Sequence, residues 1–212
     1  MALPNAILFP QALLPLHIFE QRYRKMLSDC LAADRMFSVV LTQKDESKPT
    51  DGSKPYTVAG LGIIRVAVGN DDGTSNIILQ GIARVRLCGI AKVRPYPIAR
   101  IEPLLTTCAE GVQPDPLAAK VSELLSARAK LNMALPEHVA KYLTTMKDAD
   151  NLADLVSFTL LSDFYEKQEL LETLDLRVRL QKLIQLLEKE RHQLLHWKKL
   201  QGDIKDKDIG LN

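Results

Sequence analysis

The sequence of 212 residues has few aromatic residues, few cysteines and almost no excess of charge of either sign. Phe, Trp and Tyr make up 5% of the chain, and the formal net charge is +2 at pH 7. A dedicated nucleic-acid-binding protein would carry a stronger basic excess. Cys30, Cys88 and Cys108 lie far apart and form no CxxC unit, so neither a zinc cluster nor a disulfide framework is indicated. This cysteine usage predicts a cytoplasmic protein.

Long hydrophobic runs and catalytic motifs are also missing from the sequence. No apolar stretch approaches the roughly 20 residues that span a bilayer, and Pro4, Pro10 and Pro15 interrupt the apolar N-terminus, unlike a signal peptide. There is no GxxxxGK[ST] phosphate loop and no GxSxG nucleophile motif. We therefore expect no membrane association, no cofactor, no metal and no catalytic residue.

The first half of the chain shows the short β-branched runs and turn residues of a sheet. Strands are expected at residues 6–9, 14–18, 37–41, 57–68, 75–80, 83–96 and 97–104. One helix is predicted from Phe19 to Ala33, because apolar residues recur there every three or four positions. The polar residues 43–56 predict a surface loop. This half should form a mainly antiparallel β-domain or open barrel.

Three glycines interrupt the expected strands. Gly60 and Gly62 lie inside a strand pattern, so they indicate close backbone approach or strong curvature and not a phosphate loop, which needs a longer glycine-rich turn before a helix. Gly89 predicts a β-bulge.

After a spacer at residues 106–116 the hydrophobic period changes to that of helices, which predicts a β-domain at 1–110 and a helical domain at 111–212. Helices are expected at 116–131, 136–147, 150–162 and 164–173, and a last, longest helix begins after Asp175. Its stripe follows alternating four- and three-residue steps and is apolar except for one break at Glu190, with Leu176, Leu180, Leu183, Leu187, Leu194 and Trp197 as its apolar members. This stripe is either a coiled-coil seam for a partner or a face packed on its own bundle up to about Leu187.

A His-x-x-Glu spacing occurs in the stretch LPLHIFEQRYRKM, residues 14–26. A zinc metalloprotease helix needs a second histidine one turn further on, and none is present. Glu20 has Arg24 four residues away and Arg22 two residues away, so an ion pair that ties the helix to the β-domain is the favoured interpretation.

Four basic residues occupy the strand expected at 83–96, namely Arg84, Arg86, Lys92 and Arg94. Their spacing places them on one face of the sheet if no bulge shifts the register. A solvated outer face is one interpretation. The other is a basic surface that binds acidic polypeptide or nucleic acid, and we name these residues as candidate ligand-binding residues on that basis.

Residues 14–26 and the preceding proline resemble the N-terminal signature of the Lon protease substrate-binding domain, approximately P-x-x-LPL-x-IFE-x-RY-x-x-M. The matching residues are Pro10, Leu14, Pro15, Leu16, Ile18, Phe19, Glu20, Arg22, Tyr23 and Met26. Three more segments resemble the same family in the expected order: IILQGIARVRL (77–87), PYPIARIEPL (95–104) and the helical residues 152–190, especially KQELLETLDLRVRL. The resemblance covers nearly the whole chain.

This resemblance implies an α+β fold, in which a mainly antiparallel PUA-like β pseudo-barrel with one helix precedes a helical bundle that ends in a long helix. Pro15, Phe19, Glu20, Arg22 and Tyr23 are then a structural signature, with Phe19 and Tyr23 anchoring the helix. The chain has neither the ATPase nor the peptidase motifs of full-length Lon. The expectation is a stand-alone, non-catalytic module, and a fragment of a longer chain is the alternative.

The expected function is binding of unfolded or tagged polypeptide segments, or an adaptor role in protein quality control, with a partner protease or ATPase and homodimerisation through the last helix. RNA binding is the first alternative, because PUA-like folds include RNA binders; near-neutral charge and scarce aromatics oppose it. A small hydrolase with an unrecognised site is the second.

Overall fold

A computed structural model describes residues 1–43, 54–108, 115–130 and 136–208 of the chain. Within them the strands are β1 (Ala2–Leu3), β2 (Leu13–Ile18), β3 (Met36–Gln43), β4 (Lys54–Pro55), β5 (Val58–Gly69), β6 (Ser75–Lys92) and β7 (Ile98–Leu104). The helices are α1 (Gln21–Leu31), α2 (Asp115–Lys130), α3 (Glu137–Thr144), α4 (Ala149–Leu160), α5 (Phe164–Glu172) and α6 (Leu176–Asp208). The predicted surface loop at 43–56 lies mostly outside the described residues.

The strands form one mixed sheet in the order β1-β3-β5-β6-β2, with β4 paired to β3 and β7 paired to β6. All pairs are antiparallel except β1 with β3. The strands expected at 75–80 and 83–96 are one continuous strand, β6, whose register against β5 shifts so that Ile82 is an extra residue. The predicted α+β class is confirmed, with the strands first and the helical bundle after them.

Residues 6–9 do not form the expected strand. Ile7, Leu8 and Phe9 are instead a buried segment that crosses the sheet. A Cβ atom at Gly60 would collide with the Leu8 carbonyl oxygen, and one at Gly81 would collide with the Phe9 carbonyl oxygen. Only glycine lets the backbones approach this closely. The close approach predicted at Gly60 is confirmed.

Helix α1 packs on the sheet through part of its predicted apolar stripe. Tyr23 is buried, whereas Phe19 is 62% exposed and stacks only on the His17 ring, at 6.0 Å between centroids. The expectation that Phe19 anchors the helix is therefore wrong, because this residue precedes the helix and points outward. Glu20 pairs with Arg22 at 2.8 Å. Pro15, in the exposed row of β2, lies opposite Ile78 of β6.

The largest hydrophobic core is shared by the sheet and the helices. Its α6 members Leu176, Leu180, Leu183 and Leu187 are buried against the bundle together with Phe9 of the segment that crosses the sheet and Leu41 of β3. For these four positions the second interpretation of the leucine stripe is correct, since a residue buried in its own core cannot also form an intermolecular seam. The side chains of Leu194 and Trp197 lie outside the described residues.

A buried charged cluster joins the sheet to the helical bundle. Arg84 of β6 is 3% exposed, pairs with Asp154 of α4, and donates from Nε to the Leu171 carbonyl oxygen at 3.1 Å. Arg179 of α6 contacts the same carboxylate at 2.8 Å and Asp150 at 2.6 Å. Burial raises the pKa of Asp154, and the two guanidinium groups oppose that rise. The cluster thus places two Arg against two Asp between the halves of the chain.

Candidate functional site

An apolar pocket of about 450 Å³ lies between the β6–β7 hairpin and the first part of the chain. Its volume is within the roughly 300–1,000 Å³ of ligand-binding pockets. Strands β1 and β3, helix α1 and the hairpin all contribute to its walls. The pocket therefore has one side on the main body of the sheet and one side on a hairpin.

The hairpin wall consists of aliphatic side chains that stay partly exposed. Leu87 of β6 and Ile101 of β7 are directly paired across the hairpin and both line the pocket. Ile90, Ile98 and Ile101 are 53%, 42% and 40% exposed. Exposed aliphatic residues around a concave apolar surface are the usual mark of a binding site.

The opposite wall is rich in sulfur-containing side chains. Met26 and Cys30 come from α1, and Met36 comes from the start of β3. The Cys30 thiol donates to the Met36 carbonyl oxygen at 3.4 Å. Burial raises the pKa of the Cys30 thiol, and nearby Asp34 adds to the rise, so this thiol is uncharged at neutral pH. Flexible thioether side chains can adapt to ligands of different shape.

A polar contact holds the hairpin against α1. The Tyr96 hydroxyl, next to the hairpin tip, donates to Asp29 Oδ2 at 2.9 Å, and Lys25 Nζ contacts Asp29 Oδ1 at 2.6 Å. The hydrogen bonds from Lys25 and then Tyr96 lower the pKa of Asp29. Burial and the Asp29 hydrogen bond raise the pKa of Tyr96. At neutral pH this contact therefore joins an ionised carboxylate to a protonated hydroxyl.

Asp34 is the residue with a charged side chain among those that line the pocket. It is exposed, and its Oδ1 accepts a hydrogen bond from the Met36 backbone N–H at 3.1 Å. The Met1 amino group, also at the pocket, donates to the Ser38 carbonyl oxygen at 2.7 Å. Burial lowers the pKa of this amino group to about 6, so it is mostly uncharged at neutral pH.

The four basic residues predicted to share a face do not form one exposed surface in the structure. Arg84 is buried against the helices, which corrects its assignment to a surface. Arg86 is exposed and lies opposite Glu102 of β7. Its side chain is on the opposite face of the hairpin from that of its neighbour Leu87. Register shifts between Leu87 and Gly89 and between Ile90 and Lys92 interrupt the alternation that a shared face requires. The first shift confirms the bulge at Gly89.

Lys92 and Arg94 are exposed near the hairpin tip, and Lys92 helps to lower the pKa of Asp29. The binding role of Arg86, Lys92 and Arg94 stays a prediction. The pocket itself was not predicted. The signal for it in the sequence is the apolar segment PIARIEPL, whose Ile98 and Ile101 stay partly exposed outside the core.

Within the described ranges, no group of three or more His, Cys, Asp or Glu side chains could hold a metal ion. No helix in the part of the chain covered by the structure is long and apolar enough to cross a membrane.

The comparison with known proteins points to one family. The family model described as the ATP-dependent protease La (LON) substrate-binding domain matches residues 1–189. Lon protease from Desulfosudis oleivorans is 26% identical over 97% of this chain and 25% of its own length. Lon protease from Dictyoglomus thermophilum is 25% identical over 97% of this chain and 26% of its own length. The chain thus spans about a quarter of these relatives.

Solved structures show the same fold. The N-terminal domain of Mycobacterium avium complex Lon protease has a TM-score of 0.70 and 17% identity, covering 89% of this chain and 96% of that one. A Lon N-terminal domain protein from Xanthomonas campestris has a TM-score of 0.63 and 18% identity, covering 87% and 94%.

Proposed function

The chain belongs to the substrate-binding-domain family of the ATP-dependent protease La, or Lon, and we propose that it is a non-catalytic module that captures unfolded or tagged polypeptide segments. The apolar pocket beside the β6–β7 hairpin is the proposed binding site. The observation that carries this proposal is the partial exposure of Ile90, Ile98 and Ile101 around a concave apolar surface. The free energy falls when an apolar side chain of a partner enters such a surface and displaces water from it.

Strand β7 supplies a second element of the proposed site. Among the described residues it pairs only with β6, and most of its residues are exposed. Its free edge can pair with an extended polypeptide through backbone hydrogen bonds, which place little demand on sequence. Pro103 lacks an N–H group, so pairing should favour the part of the strand from Ile98 to Glu102, beside the pocket.

The captured segment would be passed to an ATP-dependent protease, with this chain acting as an adaptor. Two facts support this part of the proposal: the match to a substrate-binding domain, and the name Lon protease carried by relatives about four times as long. RNA binding gains no support, because Arg84 is buried and two register shifts separate Arg86 from Lys92.

The test is fluorescence anisotropy of a labelled polypeptide that has been reduced and alkylated so that it stays unfolded, titrated with the protein. A labelled single-stranded RNA of similar size is titrated in parallel at two salt concentrations. Saturable polypeptide binding with weak RNA binding supports the proposal. Absent polypeptide binding contradicts it, and strongly salt-dependent RNA retention would favour the alternative.

A pair of matched variants locates the site. Ile101→Ser changes a pocket residue that is 40% exposed, and Val68→Ser changes an aliphatic strand residue that is 55% exposed and does not line the pocket. Because both residues are already partly in water, both variants should fold. Ile101→Ser should weaken polypeptide binding severalfold and Val68→Ser should not. Equal effects would place the binding site elsewhere.

A further inference from the structure

The pocket is apolar except at one end, where the loop after α1 brings a carboxylate to its mouth. Asp34 lines the pocket from the loop after α1, whereas Asp29 precedes Cys30 on α1. Burial raises the pKa of the Cys30 thiol, and Asp34 and Asp29 add to the rise. Asp29 is neutralised by Lys25 and accepts from Tyr96. Asp34 has no ion pair among the described residues.

The nearest cation in sequence cannot neutralise Asp34, because the backbone turns it away. Arg35 has a φ angle of 62°, in the left-handed region, and its backbone N–H donates to the Cys30 carbonyl oxygen at 2.9 Å. Its side-chain Nε donates to the Ile64 carbonyl oxygen on β5 at 3.2 Å. Arg35 thereby fastens the loop to the sheet, and among the described residues the neighbouring Asp34 carboxylate at the pocket has no counter-ion.

We propose that the pocket selects polypeptide segments in which a large apolar side chain lies next to a basic residue, with Asp34 as the residue that determines this specificity. The apolar side chain enters between the hairpin and α1, and the neighbouring Lys or Arg meets the Asp34 carboxylate. This inference rests on the proposed function, since it assigns the chemistry of the segment that the same pocket captures. Acidic neighbours are disfavoured there by like-charge repulsion.

The expected selectivity is moderate because Asp34 is exposed to solvent. Exposed ion pairs change affinity by roughly 1.5-fold to fivefold, and salt screens them within a Debye length of about 8 Å at physiological ionic strength. The net charge of +2 acts in the opposite direction, because it attracts acidic peptides to the protein as a whole. A preference for basic flanks is therefore a local effect and not one of net charge.

Three peptides of equal length, each with one Trp flanked by Lys, by Gln or by Glu, test the inference by fluorescence anisotropy at low and high salt. They are titrated with the wild-type protein and with Asp34→Asn, whose amide oxygen can still accept from the Met36 N–H. Asp71→Asn is the control, since Asp71 is an exposed residue of the β5–β6 turn that does not line the pocket.

The wild type and the Asp71→Asn variant should bind the Lys peptide roughly twofold to fivefold more tightly than the Glu peptide, with the Gln peptide between them. In Asp34→Asn the three affinities should converge toward that of the Gln peptide, which should itself change little. Equal binding of all three peptides to the wild type, or an unchanged preference in Asp34→Asn, overturns the charge selection and leaves the capture function intact. No binding of any peptide overturns both.

Discussion

Replacing Asp154 with Asn should cost much of the stability of the fold. The Asp154 carboxylate lies between the guanidinium groups of Arg84 and Arg179, which are 3% and 0% exposed. The amide oxygen of the substituted side chain can still accept one hydrogen bond, but the negative charge between the two buried guanidinium groups is lost. Removing one partner of a buried ion pair typically costs about 3–5 kcal/mol, out of a total of about 5–15 kcal/mol for a domain.

The assay is urea unfolding followed by circular dichroism. With a slope of roughly 2–3 kcal/mol per molar urea for a chain of this size, the expected loss lowers the unfolding midpoint by about 1–2.5 M. Asp150→Asn is the matched control, because Asp150 is 34% exposed and its one ion pair among the described residues is with Arg179. Its removal should cost about 1 kcal/mol or less, as for other partly exposed pairs.

If the Asp154→Asn midpoint lies within about 0.3 M of the wild type, or if the two substitutions have equal effects, the stabilising role of the cluster is refuted. A further variant separates lost attraction from an unpaired charge. Arg84→Met leaves Asp154 paired with Arg179 and removes one buried cation, so it should destabilise less than Asp154→Asn.

Two other predictions follow from packing and from burial. Gly81→Ala should lower the free energy of unfolding by at least about 2 kcal/mol, because the added methyl group would collide with the Phe9 carbonyl oxygen. Gly69→Ala is the control, because a Cβ atom there meets open space, and it should change this free energy little. Urea unfolding measures both variants. Burial lowers the pKa of Lys167, and the Glu166 carboxylate raises that of Lys189. Acetylation rates followed by mass spectrometry should therefore reach half their maximum at a lower pH for Lys167, and the same midpoint for both would contradict this.

The lowered pKa of Lys167 also predicts how the stability of the fold changes with pH. Because the folded state of Lys167 releases its proton more readily than the unfolded chain, stability attributable to this residue rises with pH between the two pKa values. Lys167→Met should lack that rise when unfolding midpoints are compared at neutral and alkaline pH.

Local pattern predicted most of the elements, because strands and helices depend on periodicity within a short window. Helix α5, expected at 164–173 and found at Phe164–Glu172, is an example. Its cap is local too, since Asp163 accepts from the backbone N–H groups of Tyr165 and Glu166. Contacts that join distant parts of the chain could not be predicted in this way.

Arg84 shows why. Its alternation with Arg86 is real, since no register shift separates the two residues in their pairing with β5. Whether that face meets water depends on helices α4 and α5, which come about 65 residues or more later in the chain and cover one arginine and not the other. Periodicity gives the face of a strand but not what packs against it. The same limit applies to the leucines of α6, where one stripe fitted both a bundle and a seam.

The pocket was missed for a related physical reason. A binding surface and a core use the same aliphatic residues, and only their exposure distinguishes them. Strand β6 contains both: Arg84 is fixed in the helical bundle, and three residues further on Leu87 begins the wall of the pocket. The ion-pair cluster thus fixes the base of the hairpin, and the contact of Tyr96 with Asp29 fixes its tip. Since both ends are held, a segment captured as proposed would not have to order the hairpin at a cost in binding free energy.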